Sequence, residues 1–508
     1  MMRRFRPIPV RVVVCVVCAL AFGRARAESV FDTAARMPAT ADVVLVVHDG
    51  SEMRTSAIGR AAIETMDRLV GFGETGRAWE RVSAALEMTP EAAFDALLGD
   101  RMAFASSIDH GGTKHWVLLS RIHPDVRDRM KRSLKPAPRD FAEGAVVLAI
   151  EDGAYTMVVL EQPGEHPFVV IGPGQSDPMV LDVVRAIRRP GAATLGATPE
   201  MALLHRLGNA HANVLALVRD STGEGSWTGL VGVARDGVFG ANFRVEMPTL
   251  AEVPEHAPLW SRTAFARLSE GALAAAVDIS GPMDVAGPAA DLIMPLGLPD
   301  DMKAVMGSRV AMLVRPGLHG PLEAAVSLET SDTTAMAKAG DQWIDRLLSS
   351  LPVERGGSQL HAAQFVAMPS TASRALDLSR QMPALRDRGW GAGPVLTWKS
   401  RIVVENCNPG QHQGWWTVGL GSGAVGALSA TTANPPTDPV ALPWVAMGVV
   451  RPAALMEALS SAGWEVPEAF RPASRLREVR WEAMRAGPVA LMGNLRLEVD
   501  SSVTGSDR

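Results

Sequence analysis

One stretch of this chain occurs twice. Phe94-Asp-Ala-Leu-Leu-Gly-Asp-Arg-Met-Ala-Phe104 returns as Met302-Lys-Ala-Val-Met-Gly-Ser-Arg-Val-Ala-Met312, with Ala96, Gly99, Arg101 and Ala103 falling on Ala304, Gly307, Arg309 and Ala311. A second echo sets Asn242-Phe-Arg-Val-Glu246 against Asn494-Leu-Arg-Leu-Glu498. Internal similarity at long spacing predicts a tandem duplication. The offset differs between the two echoes, so insertions are expected in loops. In each copy a Gly ends a helix and an apolar run carrying one Arg begins a strand. Arg101 and Arg309 are the charged residues the echo shares, and a structural hydrogen bond or salt bridge is expected of them.

The first copy opens with the β-branched run Val43–Val47, a buried strand. A helix is expected over 58–70, and another over 90–98, where Thr89 caps and Pro90 takes the first helical position. Strands 101–108 and 115–121 form a hairpin, followed by a helix over 124–135 and a strand over 146–151. That order is the ferredoxin-like split βαβ. Strands near 155–160, 168–171, 214–219, 229–235 and 239–246 and a helix over 178–188 extend it. The second copy repeats the types at 273–279, 309–314, 322–328, 334–351, 417–421, 444–450 and 495–499. The expected fold class is α+β: a tandem module whose mixed, mostly antiparallel sheet carries helices mainly on one face. The expected divisions are a signal peptide over 1–27, repeats over 28–250 and 251–500, and a disordered tail over 501–508, with a proline-bearing linker at 247–258.

The signal peptide is read from Arg3, Arg4 and Arg6, the apolar run Val12–Phe22 and the Ala25-Arg-Ala27 cleavage pattern, which starts the mature chain at Glu28. Arg24 and Arg26 stop the apolar run short of the ~20 residues of a spanning helix, which weighs against a retained anchor. Cys18 follows Val17, where a lipoprotein signal needs a small residue. No later segment has the length and apolarity of a transmembrane helix. The expected location is periplasmic or extracellular. Cleavage removes six arginines (Arg3, Arg4, Arg6, Arg11, Arg24, Arg26) and no acid, taking the formal charge from −5 to −11. An acidic mature protein has no electrostatic reason to bind nucleic acid or an anionic membrane. Only Cys407 of the 3 cysteines would remain, so no intramolecular disulfide forms. At 47% hydrophobic and 21% charged residues, the chain can fold around cores of its own.

An exported start, the segment PATADVVLVVHD at 38–49, LLGDRMAFA at 97–105, HWVLLSRI at 115–122 and HPFVVIGPG at 166–174 together resemble a bacterial exported family known as a domain of unknown function, number thirty-three fifty-two. The resemblance implies export and this α+β organisation. The second copy departs from it at Ser308, where the first has Asp100. It carries over no catalytic residues.

Four constellations invite chemistry. Gly421-Ser-Gly423-Ala-Val-Gly426 after a strand has the spacing of a dinucleotide fingerprint, but prolines at 435, 436 and 439 fall where the crossover should deliver its next strand, so a strand-to-helix turn is the better reading. His110-Gly-Gly-Thr-Lys-His115 lacks companions at metal-ligand spacing and reads as a solvated hairpin tip. Cys407 with His412 sits in an irregular loop. Trp390, Trp398, Trp415, Trp416 and Trp444 crowd the second copy and could line a ligand groove, with core packing as the alternative. No metal or other cofactor is expected. The favoured expectation is a non-catalytic envelope or periplasmic binding or scaffold protein whose partner is an envelope protein or a small ligand. The alternatives are a ligand-binding module with its pocket between the repeats, and a hydrolase whose site assembles from distant residues.

Overall fold

The computed structural model describes residues 29–51, 56, 80, 83–84, 86–109, 111–134, 145–150, 155–161, 166–174, 177–189, 193–208, 211–220, 225–235, 237–248, 262–280, 300–317, 322–350, 373–377, 395–405, 412–420, 422–432, 444–461 and 473–499. The signal segment, the helix expected over 58–70, the linker from 249 onward and the tail lie outside these. Two units separate, one of Met1–Pro248 with Ala490–Arg508 and one of Thr249–Val489.

In unit 1 the elements run α1 (Val30–Ala34), β1 (Val43–His48), α2 (Pro90–Leu98), β2 (Arg101–Ile108), β3 (Lys114–Arg121), α3 (Pro124–Ser133), β4 (Ala145–Ile150), β5 (Tyr155–Leu160), β6 (Phe168–Gly172), α4 (Pro178–Arg188), α5 (Pro199–Leu207), β7 (Val214–Arg219), β8 (Trp227–Arg235) and β9 (Val238–Glu246). Local chemistry explains the helix starts. Ser29 and Asp32 form a capping box on α1, and Thr89 accepts from Ala92 N ahead of Pro90. The sheet order is β4-β5-β6-β3-β2-β1-β7-β8-β9, and every one of these pairings is antiparallel. A further strand, β18 (Ala490–Val499), pairs antiparallel with β9, with Asn494 directly opposite Asn242. The two echoed segments are therefore hydrogen-bonded to each other. The strand that the echo assigns to the second repeat is counted with unit 1, because its ladder of hydrogen bonds runs to β9.

The ferredoxin-like start is not what forms. That arrangement would set β1 parallel to a later strand, with a crossover between them. Instead β1 pairs directly and antiparallel with β2, Val46 opposite Ala103. The reason is where α2 delivers the chain. Asp49 N donates to Asp100 O at 2.6 Å and Ser51 N to Gly99 O at 3.1 Å, so the chain re-enters the sheet at the end it left and must run back. The expected mixed sheet is likewise antiparallel throughout the described pairings.

Helices cover both faces, not mainly one. Strands β5 and β6 are apolar at nearly every position, so both their faces need cover. Ala103, Val117, Leu119, Val158 and Val170 pack under α1, α4 and α5. The alternate residues Met102, Leu118, Met157, Val159 and Val169 pack with Leu97 of α2 and Met130 of α3 on the other side.

Unit 2 contains α6 (Arg262–Ser269), β10 (Ala274–Ser280), α7 (Asp300–Val305), β11 (Met306–Pro316), β12 (Leu322–Thr330), α8 (Thr333–Ser350), β13 (Ser373–Asp377), β14 (Val395–Glu405), β15 (His412–Leu420), α9 (Ser422–Thr432), β16 (Trp444–Val450), α10 (Pro452–Ser461) and β17 (Leu476–Gly487). Its sheet order is β13-β14-β15-β12-β11-β10-β16-β17, again antiparallel. This is the order of unit 1 from β4 to β8, strand for strand. The same glycine contact recurs. A Cβ on Gly172 at the end of β6 would overlap the Val180 side chain of α4, and one on Gly419 near the end of β15 would overlap the Ala324 carbonyl and meet Val425 of α9. In both units a strand and the helix after it approach more closely than any side chain there allows.

Candidate functional site

The most elaborated polar cluster of unit 1 lies where β6 turns into α4. Asp177 is the N-cap of α4, and its Oδ1 accepts from Met179 N at 2.9 Å. Its other oxygen, Oδ2, lies 2.8 Å from Nδ1 of His115, the second residue of β3. On the far side of the ring, His115 Nε2 is 3.5 Å from Asp109 Oδ2 at the hairpin tip. Asp109 is held in turn by Thr113, whose N–H donates to Oδ1 at 2.8 Å. The His115 and Asp177 side chains are 19% and 7% exposed, so the closer of the two contacts is the more shielded one. The hydrogen bond that His115 donates to Asp177 raises the His115 pKa above the ordinary imidazole value against the opposing effect of burial, and Asp109 adds to the rise. The Thr113 amide lowers the Asp109 pKa, with His115 contributing. An imidazolium between two carboxylates is the arrangement these directions describe.

Ser107 of β2 stands directly across from His115 in the sheet register. Serine, histidine and aspartate therefore converge, as the hydrolase alternative requires. Their order is different from that of a relay. In a relay the serine proton passes to the imidazole nitrogen that faces away from the aspartate. Here that nitrogen faces Asp109, and Ser107 Oγ donates to Met179 Sδ at 3.5 Å. The sequence marks His115 as part of a solvated hairpin tip. Its partnership with Asp177, sixty-odd residues on, comes from the β3–β6 pairing. The sequence places a helix over 178–188, but nothing local assigns Asp177 a partner on a distant strand.

Unit 2 has a related junction at the glycine-rich turn. Glu323, the second residue of β12, is buried, and its Oε2 accepts from Ala424 N in the first turn of α9 at 2.9 Å. Arg315 Nε lies 4.0 Å from the same oxygen. A Cβ on Gly423 would overlap Glu323 Oε2, whereas one on Gly426 would meet nothing within 4 Å. The helix N-terminus that the fingerprint would offer to a pyrophosphate holds the chain's own carboxylate. Glu323 was missed in the sequence. Its signal was a single acid inside the apolar run Leu322–Leu328.

The tryptophans divide. Trp415 and Trp416 are adjacent on β15 and so face opposite sides of the sheet. Trp415 is buried with Phe265, Val425 and Leu428. Trp416 is buried with Met302, Met336 and Trp343, its ring 6.4 Å from that of Trp343. The ligand-groove expectation is corrected for these two: they fill two of the cores of unit 2, Trp415 against α6 and α9 and Trp416 against α7 and α8. Trp398 lies on β14 and Trp444 on β16. Trp390 and Cys407 lie outside the described residues.

Arg309 makes the expected salt bridge, donating from Nε and Nη2 to Glu329 Oε1 at 3.1 and 2.6 Å. Arg101 is set differently. It is buried in a row across the sheet with His48 on one side and Arg121 on the other, with Asp100 Oδ1 3.8 Å from its Nε. His48 Nε2 is 3.1 Å from Thr33 Oγ1, and the Arg121 guanidinium lies 4.7 Å from the centre of the Phe168 ring.

Among the described residues no group of three or more His, Cys, Asp or Glu side chains is placed to hold a metal ion. No helix among them is long and apolar enough to cross a membrane. No family model matches this chain. No curated protein matches it either. Two solved structures are similar over part of it: crystal form III of TP0453, at 13% identity and a TM-score of 0.26, covering 49% of this chain and 88% of that one, and crystal form I of TP0453, at 11% identity and a TM-score of 0.24, covering 44% and 80%. Likeness at that level carries no argument about fold or function.

Proposed function

We propose that this chain is an exported, non-catalytic binding or scaffold protein of the bacterial envelope, built from two copies of one α+β module. The observation that carries the reading is the filling of both strand-to-helix junctions from within. Asp177 caps α4 and Glu323 caps α9, so at each junction a carboxylate of the chain itself occupies the position, and takes a backbone donor, that an anionic ligand or a developing oxyanion would use. His115 is likewise engaged through both ring nitrogens.

The duplication is supported by the matching strand orders and by the equivalent placing of Gly172 and Gly419. His115 and Glu323 also hold the same position, second on β3 and on β12. Export to the periplasm or beyond, with cleavage after Ala27, and kinship with the exported family of unknown function rest on the sequence motifs. The partner is an envelope protein or a small ligand.

The experiment is expression of the full chain in a Gram-negative host, followed by fractionation, N-terminal sequencing, in-cell crosslinking and a broad hydrolase panel. The expected product begins at Glu28, leaves the cytoplasm and crosslinks to a defined envelope protein. Retention in the cytoplasm overturns export. Turnover that disappears in His115→Ala overturns the non-catalytic reading. A small molecule carried through purification supports the ligand-binding alternative instead.

A further inference from the structure

The Asp109–His115–Asp177 cluster joins the β2–β3 tip to the turn that starts α4, next to the point where Asp42 Oδ2 accepts from Ile108 N at 3.1 Å. Asp109 belongs to the tip between β2 and β3, and Asp177 to the turn that starts α4. Among the described residues, Ser107 of β2, opposite His115 in the sheet, and Met179 of α4 are neutral and bond to each other. Lys114 is exposed and, as the neighbour of His115 on the strand, points to the opposite face. Asp182 and Arg185 of α4 pair with each other at 3.3 Å. The charges that act on His115 are thus the two carboxylates, one from each segment.

We propose that this cluster is a pH-operated latch, in which protonated His115 ties the β2–β3 tip to the start of α4 and neutral His115 lets the tip go. The two contacts are unequal, and that decides which one opens. A neutral imidazole keeps one N–H. The 2.8 Å contact of Nδ1 with Asp177 retains it, since Asp177 is also fixed by its bond to Met179 N. Nε2 then presents a lone pair to Asp109 Oδ2 at 3.5 Å, and the attraction becomes repulsion. The tip leaves while α4 keeps its cap.

The sign follows from linkage. His115 is raised in the folded state, so its contribution is complete below the ordinary imidazole pKa and is lost as pH climbs through the higher folded value. Asp109 is lowered, so its contribution holds down to below ordinary carboxylate values and is lost as pH falls through the folded value. The latch is closed between these limits and opens on the alkaline side. This inference stands on the cluster alone and is independent of the reading of function above.

The test is a titration of the full chain from pH 5 to 9. It combines NMR of the histidine ring protons, with His115 assigned by its loss in His115→Gln, and hydrogen exchange of the 108–115 and 177–184 peptides, corrected for intrinsic base catalysis. The expected midpoint of His115 lies above 6.5. Across it, the tip should lose up to about fivefold in protection, the scale of a partly exposed ion pair, while the α4 peptide changes little. Asp109→Asn, which keeps an acceptor for Thr113 N, should lower the midpoint and abolish the pH dependence of the tip. A midpoint at or below 6.5, or tip exchange with the same pH dependence in Asp109→Asn as in the parent, overturns the proposal.

Discussion

Glu323 gives the sharpest test of how unit 2 is built. Its carboxylate is shielded, with the side chain 6% exposed, and accepts from Ala424 N at the start of α9. Replacing it with Ala removes a hydrogen bond to a charged acceptor, a loss of about 1.5–3 kcal/mol. It leaves the buried Ala424 N–H without its acceptor, and part of the loss returns because a buried charge no longer has to be desolvated. A net loss of about 2 kcal/mol is expected for Glu323→Ala. Glu323→Gln keeps an acceptor oxygen and gives up the interaction of charge with the helix dipole, about 1 kcal/mol. For a unit of this size, each kcal/mol lowers Tm by about 2–4 °C. Scanning calorimetry of the full chain should therefore place the unit 2 transition about 4–8 °C lower in Glu323→Ala, with half that effect in Glu323→Gln. Hydrogen exchange should localise the change to the 422–432 peptide. Removing the side chain also opens a helix N-terminus next to Gly423, which suits an anion. Sulfate at ten times its Kd would restore about 1.4 kcal/mol by mass action. Sulfate also stabilises any fold by exclusion from its surface, so the quantity to read is the gain in the variant minus the gain in the parent. A Glu323→Ala protein within about 0.5 kcal/mol of the parent, a margin typical of neutral surface changes, would refute the reasoning.

Three further outcomes are expected. Gly426→Ala, the third glycine of the apparent fingerprint, meets open space on a helix and should stabilise unit 2 by about 0.5–1 kcal/mol; destabilisation in a thermal melt would show that the glycine serves something other than packing. Gly419→Ala should instead cost about 1–3 kcal/mol, because its Cβ overlaps a backbone carbonyl that is fixed in the β12–β15 ladder, and Gly172→Ala should cost less, because the Val180 side chain can turn. Acid should weaken unit 1. Burial opposes ionisation of Asp32 and Glu200, but their pKa values are lowered, Asp32 by its bonds to Ser29 and Glu200 by backbone hydrogen bonding and Arg219. Their contributions are present above the ordinary carboxylate pKa and are lost as pH falls through the folded values. Urea unfolding between pH 5 and 2.5 should show a shallower decline in Asp32→Asn and in Glu200→Gln; slopes equal to that of the parent would remove both groups from the account.

Much of the fold can be read locally. The helix starts at Thr89-Pro90 and Asp177-Pro178, the strands at Val43–His48 and Arg101–Ile108, and the repeated Gly–Arg junction follow from capping, apolar runs and turn chemistry, which act between residues close in sequence. Strands β13, β14 and β17 escaped notice because their apolar residues do not alternate cleanly with polar ones. The pairing partners were not legible either. A split βαβ and the observed antiparallel β1–β2 pair share the same order of elements, and only the end at which α2 returns the chain separates them. The division of helices between two faces follows from the same cause, since β5 and β6 became central strands with both sides to bury.

The site shows the same boundary. The amino-acid sequence by itself determined which residues carry chemistry: His115 at a hairpin, a glycine-rich turn after a strand, tryptophans next to each other on Trp415-Trp416, an arginine at each echo. Only the tertiary structure decided what each one meets. Pairing of β3 with β6 sets Asp177 against His115, and pairing of β12 with β15 sets Glu323 against α9. Alternation along β15 sends its two tryptophans into separate cores. Propensities and caps are settled by neighbours a few residues away, whereas a carboxylate finds its donor through sheet register, and register depends on which distant strand arrives alongside.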